Sequence, residues 1–203
     1  MLSNRRSIAE ALTSLAMHLE LAESAPLEIV VIGGAAMNAT GIISRPTRDV
    51  DVLALGITDQ QGGVSMVKCD PLPAALLEAA EGVARDLDLD DRWLNAGPAD
   101  LLDHGLPAGF EGRLTRTEYG LTLAVLLPAR EDLICMKVFA AADSGIGRHT
   151  EDLAALKPTG SELLAGARWA RTQDPSEGFR TMLVALLRYM DAQDEAEGLL
   201  DDA

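Results

Sequence analysis

Two aspartates in an apolar segment are the residues of this chain best suited to hold a metal ion. Asp49 and Asp51 alternate with the apolar residues of positions 50–53. In a β-strand, side chains two residues apart point to the same face, with Cα atoms about 6.5–7 Å apart. Two carboxylates on one face suit Mg²⁺, which takes one or two carboxylates together with the phosphates of a substrate. Mn²⁺ prefers the same oxygen ligands and is the alternative ion.

A pair of glycines upstream of the aspartates is suited to bind phosphate. Gly33 and Gly34 follow a β-branched run at residues 29–32, which indicates a buried strand. Because glycine has no Cβ, the backbone can turn sharply there and approach a ligand closely. The next element is a predicted short helix at residues 35–41, whose unpaired N–H groups favour a phosphate at its first turn.

One lysine lies in a segment that is otherwise mostly apolar. Lys137 belongs to the predicted helical segment EDLICMKVFAA. A buried lysine is costly without a partner, so its ammonium group could serve to bind an anion. In the alternative interpretation, the aliphatic stem lies along the edge of the core and the ammonium group reaches solvent. The residue alone leaves both interpretations open.

The stretch at residues 29–53, IVVIGGAAMNATGIISRPTRDVDVL, resembles the signature of the polymerase-β-like nucleotidyltransferases. That signature has an apolar residue, Gly-Gly or Gly-Ser, about a dozen residues, and then Asp-x-Asp between apolar neighbours. The version RPTRDVDV is most similar to the small bacterial group that contains the AbiEii-type toxins. The resemblance covers roughly residues 29–156. It implies transfer of a nucleoside monophosphate from a magnesium-bound nucleoside triphosphate (NTP) to an acceptor hydroxyl.

The resemblance implies a role for each residue of the motif. Asp49 and Asp51 would be catalytic residues and metal ligands. Nucleotide binding would fall to the two glycines and to three residues that follow them, namely Gly33, Gly34, Arg45, Thr47 and Arg48. One position departs from the pattern, because many nucleotidyltransferases carry Ser where this chain has Gly34. A hydroxyl contact to the terminal phosphate is therefore missing at that residue.

A third motif of the AbiEii-type group consists of a Lys, an Arg after a turn or more of helix, and an Asp a few residues later. Lys137, Arg148 and Asp152 meet this pattern. By the resemblance, Lys137 contacts the triphosphate and is catalytic, and Arg148 orders the site or binds a phosphate. Asp152 would be the third acidic group, either as the base or as a metal partner. Alternatively, Asp152 is an exposed residue at a helix start, favoured by the helix dipole, and Glu118 is the third carboxylate.

The pattern of apolar residues predicts an α/β (α+β) fold, a nucleotidyltransferase-like small mixed sheet flanked by helices with a helical C-terminal part. Strands are predicted at residues 28–32, 49–54 and 64–67, with one or two more within residues 113–128. Helices are predicted at residues 3–24 with Ser3 as the cap, and at residues 35–41, 72–86, 128–142, 148–156, 162–170 and 175–192. The acidic tail at residues 194–203 is expected to fray. The segment Trp93-Leu94-Asn95 predicts a Trp that fills the core and an Asn that caps.

Residues 1–156 are predicted to form the nucleotidyltransferase-like domain. Residues 157–203 would be a C-terminal helical extension or a part of the same domain. Residues 1–10 lack the apolar core of a signal peptide, and the chain has no uncharged run long enough for a membrane span. These features predict a cytoplasmic protein.

The formal net charge of −15 bears on the partners of the protein. A negative field of this size repels nucleic acid and mildly disfavours RNA as the acceptor. The acceptor therefore stays open between a tRNA end, a protein side chain and a small molecule. A toxin would have an antitoxin as its partner, and a homo-oligomer is the other expectation. The competing hypothesis is a non-catalytic nucleotide-binding or protein-interaction module on the same fold.

Overall fold

The computed structural model describes residue 2 and residues 4–201, which divide into two units. The first unit comprises Met1–Leu102 and Gly109–Ala129, and the second comprises Asp103–Ala108 and Arg130–Ala203. The first unit holds a mixed sheet with three α-helices, and the second is helical. The predicted α/β fold with a helical C-terminal part is therefore confirmed. The predicted domain boundary at residue 156 stays a prediction.

The sheet of the first unit has six strands. They are β1 (Leu27–Ile32), β2 (Val50–Thr58), β3 (Val64–Val67), β4 (Leu94–Asn95), β5 (Thr115–Tyr119) and β6 (Leu123–Leu127). The order across the sheet is β3-β2-β1-β6-β5, and β4 pairs with the start of β2. The central strand β1 is antiparallel to β2 and parallel to β6. β2 runs past its predicted end at residue 54 because β3 continues the ladder along residues 55–58.

Three α-helices accompany this sheet. They are α1 (Arg5–Leu21), α2 (Gly33–Ala39) and α3 (Ala74–Leu87), and two 3₁₀ helices follow at Gly97–Leu102 and Glu111–Arg113. α1 packs on β5 and β6, α2 packs on β1 and β2, and α3 packs on α1. The cap of α1 is Asn4, whose side chain accepts the N–H of Ser7. Ser3, the predicted cap, lies outside the described residues.

Five helices form most of the second unit. They are α4 (Arg130–Ser144), α5 (Arg148–Ala155), α6 (Gly160–Gln173), α7 (Glu177–Tyr189) and α8 (Gln193–Asp201). The rings of Phe139, Trp169 and Phe179 meet in its core. The expectation of a frayed tail is wrong for residues 194–201. They belong to α8, where Ala196 and Leu199 lie three residues apart and are buried.

The lengths of these helices bear on membrane association. Within the part of the chain that the structure describes, no helix is long and apolar enough to cross a membrane.

Candidate functional site

The turn from β1 into α2 brings the first glycine of the pair against an aspartate. Ile32, the last residue of β1, pairs with Asp51 on β2. Gly33 follows with φ of +70°, a conformation that residues with a Cβ rarely adopt. A Cβ on Gly33 would lie 2.5 Å from Oδ2 of Asp51. The carboxylate of Asp51 therefore occupies the space that the missing side chain leaves.

Asp49 and Asp51 lie at the start of β2. Asp51 is the second residue of the strand, and Asp49 precedes the strand by one residue. Val50 and Val52 are fully buried, whereas both aspartates are partly exposed. Because side chains alternate along an extended chain, the two carboxylates share the face opposite to the two valines.

The second glycine is covered by two of the predicted nucleotide-binding residues. A Cβ on Gly34 would lie 3.1 Å from Oγ1 of Thr47 and 4.0 Å from Nη2 of Arg45. Thr47 is buried, and its hydroxyl donates to the carbonyl oxygen of Asp49 at 3.3 Å and to Oδ1 of Asp49 at 3.4 Å. A hydroxyl group thus lies beside residue 34, although that residue itself has no side chain.

A buried amide holds the loop that carries Arg45 and Thr47. Nδ2 of Asn38 on α2 donates to the carbonyl oxygen of Gly34 at 3.1 Å and to that of Arg45 at 3.0 Å. On the other side of the loop, Leu2 and Thr47 exchange two backbone hydrogen bonds of 3.1 and 2.8 Å. The loop is therefore bonded to α2 through Asn38 and to Leu2.

Asn95 is a contact of Asp51 that the sequence analysis missed. It lies on β4 directly opposite Asp51. Its Nδ2 donates to Oδ1 of Asp51 at 3.2 Å, and its Oδ1 accepts the N–H of Gly97 at 2.9 Å. The predicted core position of Trp93 is confirmed, because the ring is fully buried and its Nε1 donates to the carbonyl oxygen of Ala80. The sequence shows an Asn after an apolar Trp-Leu pair, but the spacing does not reveal that the strand carrying this Asn pairs with β2.

A cleft of about 470 Å³ opens beside these residues. It is lined by Arg48, Asp49, Asp90, Arg92, Asn95 and Gly97. Oδ1 of Asp90 accepts the backbone N–H of Arg92 at 2.9 Å and so fixes the turn that carries this arginine. Arg48 and Arg92 are exposed. Guanidinium groups recognise phosphate oxygens, so the cleft combines the carboxylates of Asp49 and Asp90 with two groups that can bind an anion.

The donor set fits a magnesium–nucleotide complex better than a metal held by the protein alone. Among the residues that the structure describes, no group of three or more His, Cys, Asp or Glu side chains could hold a metal ion. Asp49 and Asp51 supply two carboxylates on one face. Two carboxylates are what Mg²⁺ uses when phosphates of the substrate complete its coordination.

The third predicted motif lies in the second unit, where two of its members form an ion pair. Nζ of Lys137 on α4 donates to Oδ2 of Asp152 on α5 at 2.8 Å. Lys137 is 5% exposed and Asp152 is 1% exposed. The alternatives of a solvent-reaching Lys137 and of an exposed Asp152 are therefore wrong. Arg148, at the first position of α5, is exposed and lies one helical turn before Asp152.

The burial of this pair has a structural explanation as well as a chemical one. Removing one partner of a buried ion pair leaves an uncompensated charge in the interior. The contact of Lys137 with Asp152 joins α4 to α5 within the unit. The ion pair by itself is therefore compatible with both a structural role and a role in binding substrate.

Glu118, the other candidate for the third carboxylate, lies far from Asp51 in the first unit. It is on the edge strand β5, 71% exposed, and accepts a hydrogen bond from Arg116 at 2.6 Å. The register puts Glu118 in one row with Glu28, and Asp51 in one row with Ile32. The two rows are four residues apart along β1, which is about 13 Å, and the two strands are three spacings apart across the sheet, which is about 14 Å. The direct distance between the two positions is therefore about 19 Å. This separation argues against Glu118 as a base for chemistry at Asp51.

Glu28 and Arg116 belong to a second cleft, of about 410 Å³, at that far end of the sheet. Burial acts to raise the pKa of Glu28. The hydrogen bonds from the hydroxyl of Thr58 and the guanidinium of Arg116 outweigh it and hold the pKa below its usual range. The carboxylate is therefore engaged in interactions of the sheet itself.

A Gly-Gly turn at the end of one strand, with an Asp-x-Asp motif on its antiparallel neighbour, is the arrangement expected of a nucleotidyltransferase. The chain belongs to a family described as nucleotidyltransferase of unknown function (DUF6036), whose model matches residues 10–154. This range includes the glycine pair, both aspartates, Lys137 and Asp152. Comparison with curated proteins and with solved structures gives no match. The nucleotidyltransferase relationship is confirmed, and the AbiEii-type subgroup stays a prediction.

Proposed function

We propose that this protein is an enzyme that transfers a nucleoside monophosphate from an NTP with Mg²⁺ to an acceptor hydroxyl. The observation that carries this proposal is the carboxylate of Asp51, which lies over Gly33 and beside Asn95. Asp49 lies on the same face of the chain. Membership of a nucleotidyltransferase family supports the reaction class.

In this proposal the glycine turn binds the triphosphate. Because Gly33 has no Cβ, the carboxylate of Asp51 can lie against the turn, and an ion held by Asp51 would bring the phosphates close to the backbone of the glycine pair. Thr47 and Arg45, which cover Gly34, add a hydroxyl donor and a guanidinium donor. Arg48 on the adjoining cleft adds a second positive group. The hydroxyl of Thr47 donates to Asp49 in this structure, and it would turn from Asp49 to the phosphate to make the contact that a Ser at residue 34 would make.

Asp49 and Asp51 are the proposed ligands of Mg²⁺, and Mn²⁺ is the proposed substitute. When bound, the ion would neutralise charge on the phosphates and activate the attacking oxygen. The two carboxylates orient it from the strand side. The pairing of Asp51 with Ile32 on β1 and with Asn95 on β4 fixes the backbone position of Asp51.

The roles of the second unit in this proposal come from the resemblance alone. Lys137 would place its charge on the triphosphate, Arg148 would bind a phosphate or order the site, and Asp152 would act as the base. Since Lys137 and Asp152 are charge partners, a change in either one alters the surroundings of the other. Their roles must therefore be tested with paired substitutions.

The proposed cellular setting is the toxin half of a toxin–antitoxin pair, which follows from the AbiEii-type resemblance. An antitoxin would then be the protein partner, and the acceptor would be a tRNA end, a protein side chain or a small molecule. Induced expression in a bacterial host tests the setting. We expect growth arrest with the parent protein and normal growth with Asp51→Ala.

The reaction is tested with each labelled NTP, Mg²⁺ and total cell extract, by asking which molecule becomes labelled. Calorimetry with Mg²⁺ and a non-hydrolysable NTP tests the binding step. Asp49→Ala and Asp51→Ala should lower affinity or turnover by orders of magnitude. Asp143→Ala, which removes an exposed carboxylate of α4, is the control. Unchanged binding in both site variants would refute the metal role, and binding without any transfer would support the non-catalytic hypothesis.

A further inference from the structure

Asn95 contacts the carboxylate that the proposed function makes a metal ligand, although it lies on a different strand. We propose that Asn95 is a positioning residue that fixes the orientation of Asp51 for metal binding. This inference rests on the proposed function, because it assumes that Asp51 binds the ion. Neither the motif at residues 29–53 nor the family match gives Asn95 a role.

One oxygen of the Asp51 carboxylate accepts a hydrogen bond, and the other lies in the space over Gly33. Oδ1 accepts a hydrogen bond of 3.2 Å from Nδ2 of Asn95. Oδ2 lies over Gly33, at 2.5 Å from the position that a Cβ would take. A rotation of the carboxylate would break the first contact and move the second oxygen out of the space above the turn. The hydrogen bond from Asn95 therefore favours the orientation that places Oδ2 over Gly33.

The orientation of the Asn95 amide is itself determined. Its Oδ1 accepts the N–H of Gly97 at 2.9 Å. If the amide were turned by 180°, its NH₂ group would face the N–H of Gly97 and its carbonyl oxygen would face the carboxylate of Asp51, and neither pair can form a hydrogen bond. The contact with Gly97 therefore forces the NH₂ group towards Asp51.

The backbone of Asn95 is held by the core and not by the cleft. β4 pairs in parallel with β2, so Asn95 lies level with Asp51. The carbonyl oxygen of Trp93 accepts the N–H of Val50 at 2.5 Å, and the buried Trp93 ring is bonded to the carbonyl oxygen of Ala80. Trp93 is fully buried and is not among the residues that line the cleft.

Groups that hold a metal ligand in place are important for affinity. Loss of such a partner typically costs about 10–100-fold in metal affinity or activity. We expect Asn95→Ala to weaken binding of Mn²⁺, used as a spectroscopic probe with a non-hydrolysable NTP, by about 10–100-fold. Electron paramagnetic resonance of free Mn²⁺ measures this affinity without any turnover.

A matched control is available at the start of the chain. Asn4→Ala removes the same side chain from the cap of α1, where it also makes a hydrogen bond. We expect this variant to bind Mn²⁺ and nucleotide like the parent. A second measurement leaves Asn95 unchanged and compares the parent with Asp51→Asn and Asp49→Asn. In ¹⁵N spectra, the side-chain NH₂ signal of Asn95 should move on Asp51→Asn and stay in place on Asp49→Asn.

The outcomes separate the inference from the proposed function. If Asp51→Ala loses Mn²⁺ affinity while Asn95→Ala keeps it, the metal role stands and the positioning role is overturned. If the Asn95 NH₂ signal does not respond to Asp51→Asn, the contact is absent in solution and the inference also fails. If Mn²⁺ binding to the parent is undetectable, or equals that of Asp51→Ala, the proposed function fails and the inference fails with it.

Discussion

Replacing Gly33 by alanine puts a methyl group where the carboxylate of Asp51 now lies. The Cβ would come within 2.5 Å of Oδ2, a distance that real Cβ atoms essentially never show. The residue would also keep a φ near +70°, which disfavours any side chain. Gly33→Ala therefore has two effects, one on the backbone and one on Asp51.

Gly41→Ala separates these two effects. Gly41 has a similar φ of +77°, and a Cβ there meets nothing within 4 Å. Both substitutions also change the entropy of the unfolded chain in the same way. The difference between the two variants thus reports the displacement of Asp51 alone.

The magnitude can be worked out from these contacts. A left-handed conformation costs a residue with a Cβ about 1–2 kcal/mol, which we expect as the full effect of Gly41→Ala. Moving the carboxylate of Asp51 also breaks its bond with Asn95, and a hydrogen bond to a charged group contributes about 1.5–3 kcal/mol. Partial exposure of Asp51 favours the lower end, so we expect about 2.5–4 kcal/mol in total for Gly33→Ala. In a chain of this size that lowers the melting temperature by about 5–15 °C.

Urea unfolding measures the free energy of unfolding, and Mn²⁺ titration with a non-hydrolysable NTP measures the function of the site. Gly33→Ala should lose at least about tenfold in metal affinity, as expected when a ligand is displaced. Gly41→Ala should lose stability and keep the affinity of the parent. Equal stability losses and equal metal affinities in the two variants would refute the placement of Asp51 over Gly33.

Two further predictions concern the second unit. Lys137→Met should lower the free energy of unfolding by about 3–5 kcal/mol, because the buried carboxylate of Asp152 loses the charge of the Lys137 ammonium group. Lys137→Met/Asp152→Leu should recover most of this loss in urea unfolding. If the double variant also binds NTP like the parent, the pair is structural and the role of Lys137 at the triphosphate is wrong. Two hydrogen bonds lower the pKa of Glu162 from an ordinary 4.5 to about 2. The larger effect comes from the guanidinium of Arg130, and the next from the backbone N–H of Thr159. A carboxyl group whose pKa is lowered by folding stabilises the fold at pH values above its ordinary pKa. The difference in free energy of unfolding between the parent and Glu162→Gln should therefore have its full size above pH 4.5 and shrink as the pH falls towards 2. An equal difference at pH 6 and pH 3 would contradict this linkage.

The elements that local patterns determine could be predicted from the sequence. β1 follows from four consecutive β-branched residues before a glycine pair, and β3 was found at its predicted residues. The start of α2 was placed at residue 35 because two glycines indicate a turn. In the structure Gly33 already belongs to the helix. The predicted start therefore differs by two residues from the start in the structure, within the usual uncertainty of a helix end.

The contacts that shape the candidate site could not be predicted in the same way. Asn95 and Asp51 are 44 residues apart, and their contact depends on β4 pairing with the outer edge of β2. The same holds for Thr47 over Gly34, because the path of the loop depends on Asn38. In each case an amide side chain joins two segments, and its sequence neighbours do not reveal the partner. Motif spacing thus identifies the carboxylates, whereas strand pairing decides how they are held.

The net charge of −15 leads to a test of the acceptor class. A polyanionic acceptor such as a tRNA end must approach against the field of the whole protein, whereas a neutral small molecule does not feel that field. Salt shortens the range of the repulsion, with a Debye length of about 30 Å at 0.01 M and about 10 Å at 0.1 M. If the acceptor is RNA, transfer at low acceptor concentration should accelerate between these two salt concentrations, opposite to the trend for basic proteins that bind RNA. A rate that does not respond to salt argues for a neutral acceptor. A rate that falls would mean that the local positive groups at Arg48 and Arg92 dominate the approach of the acceptor.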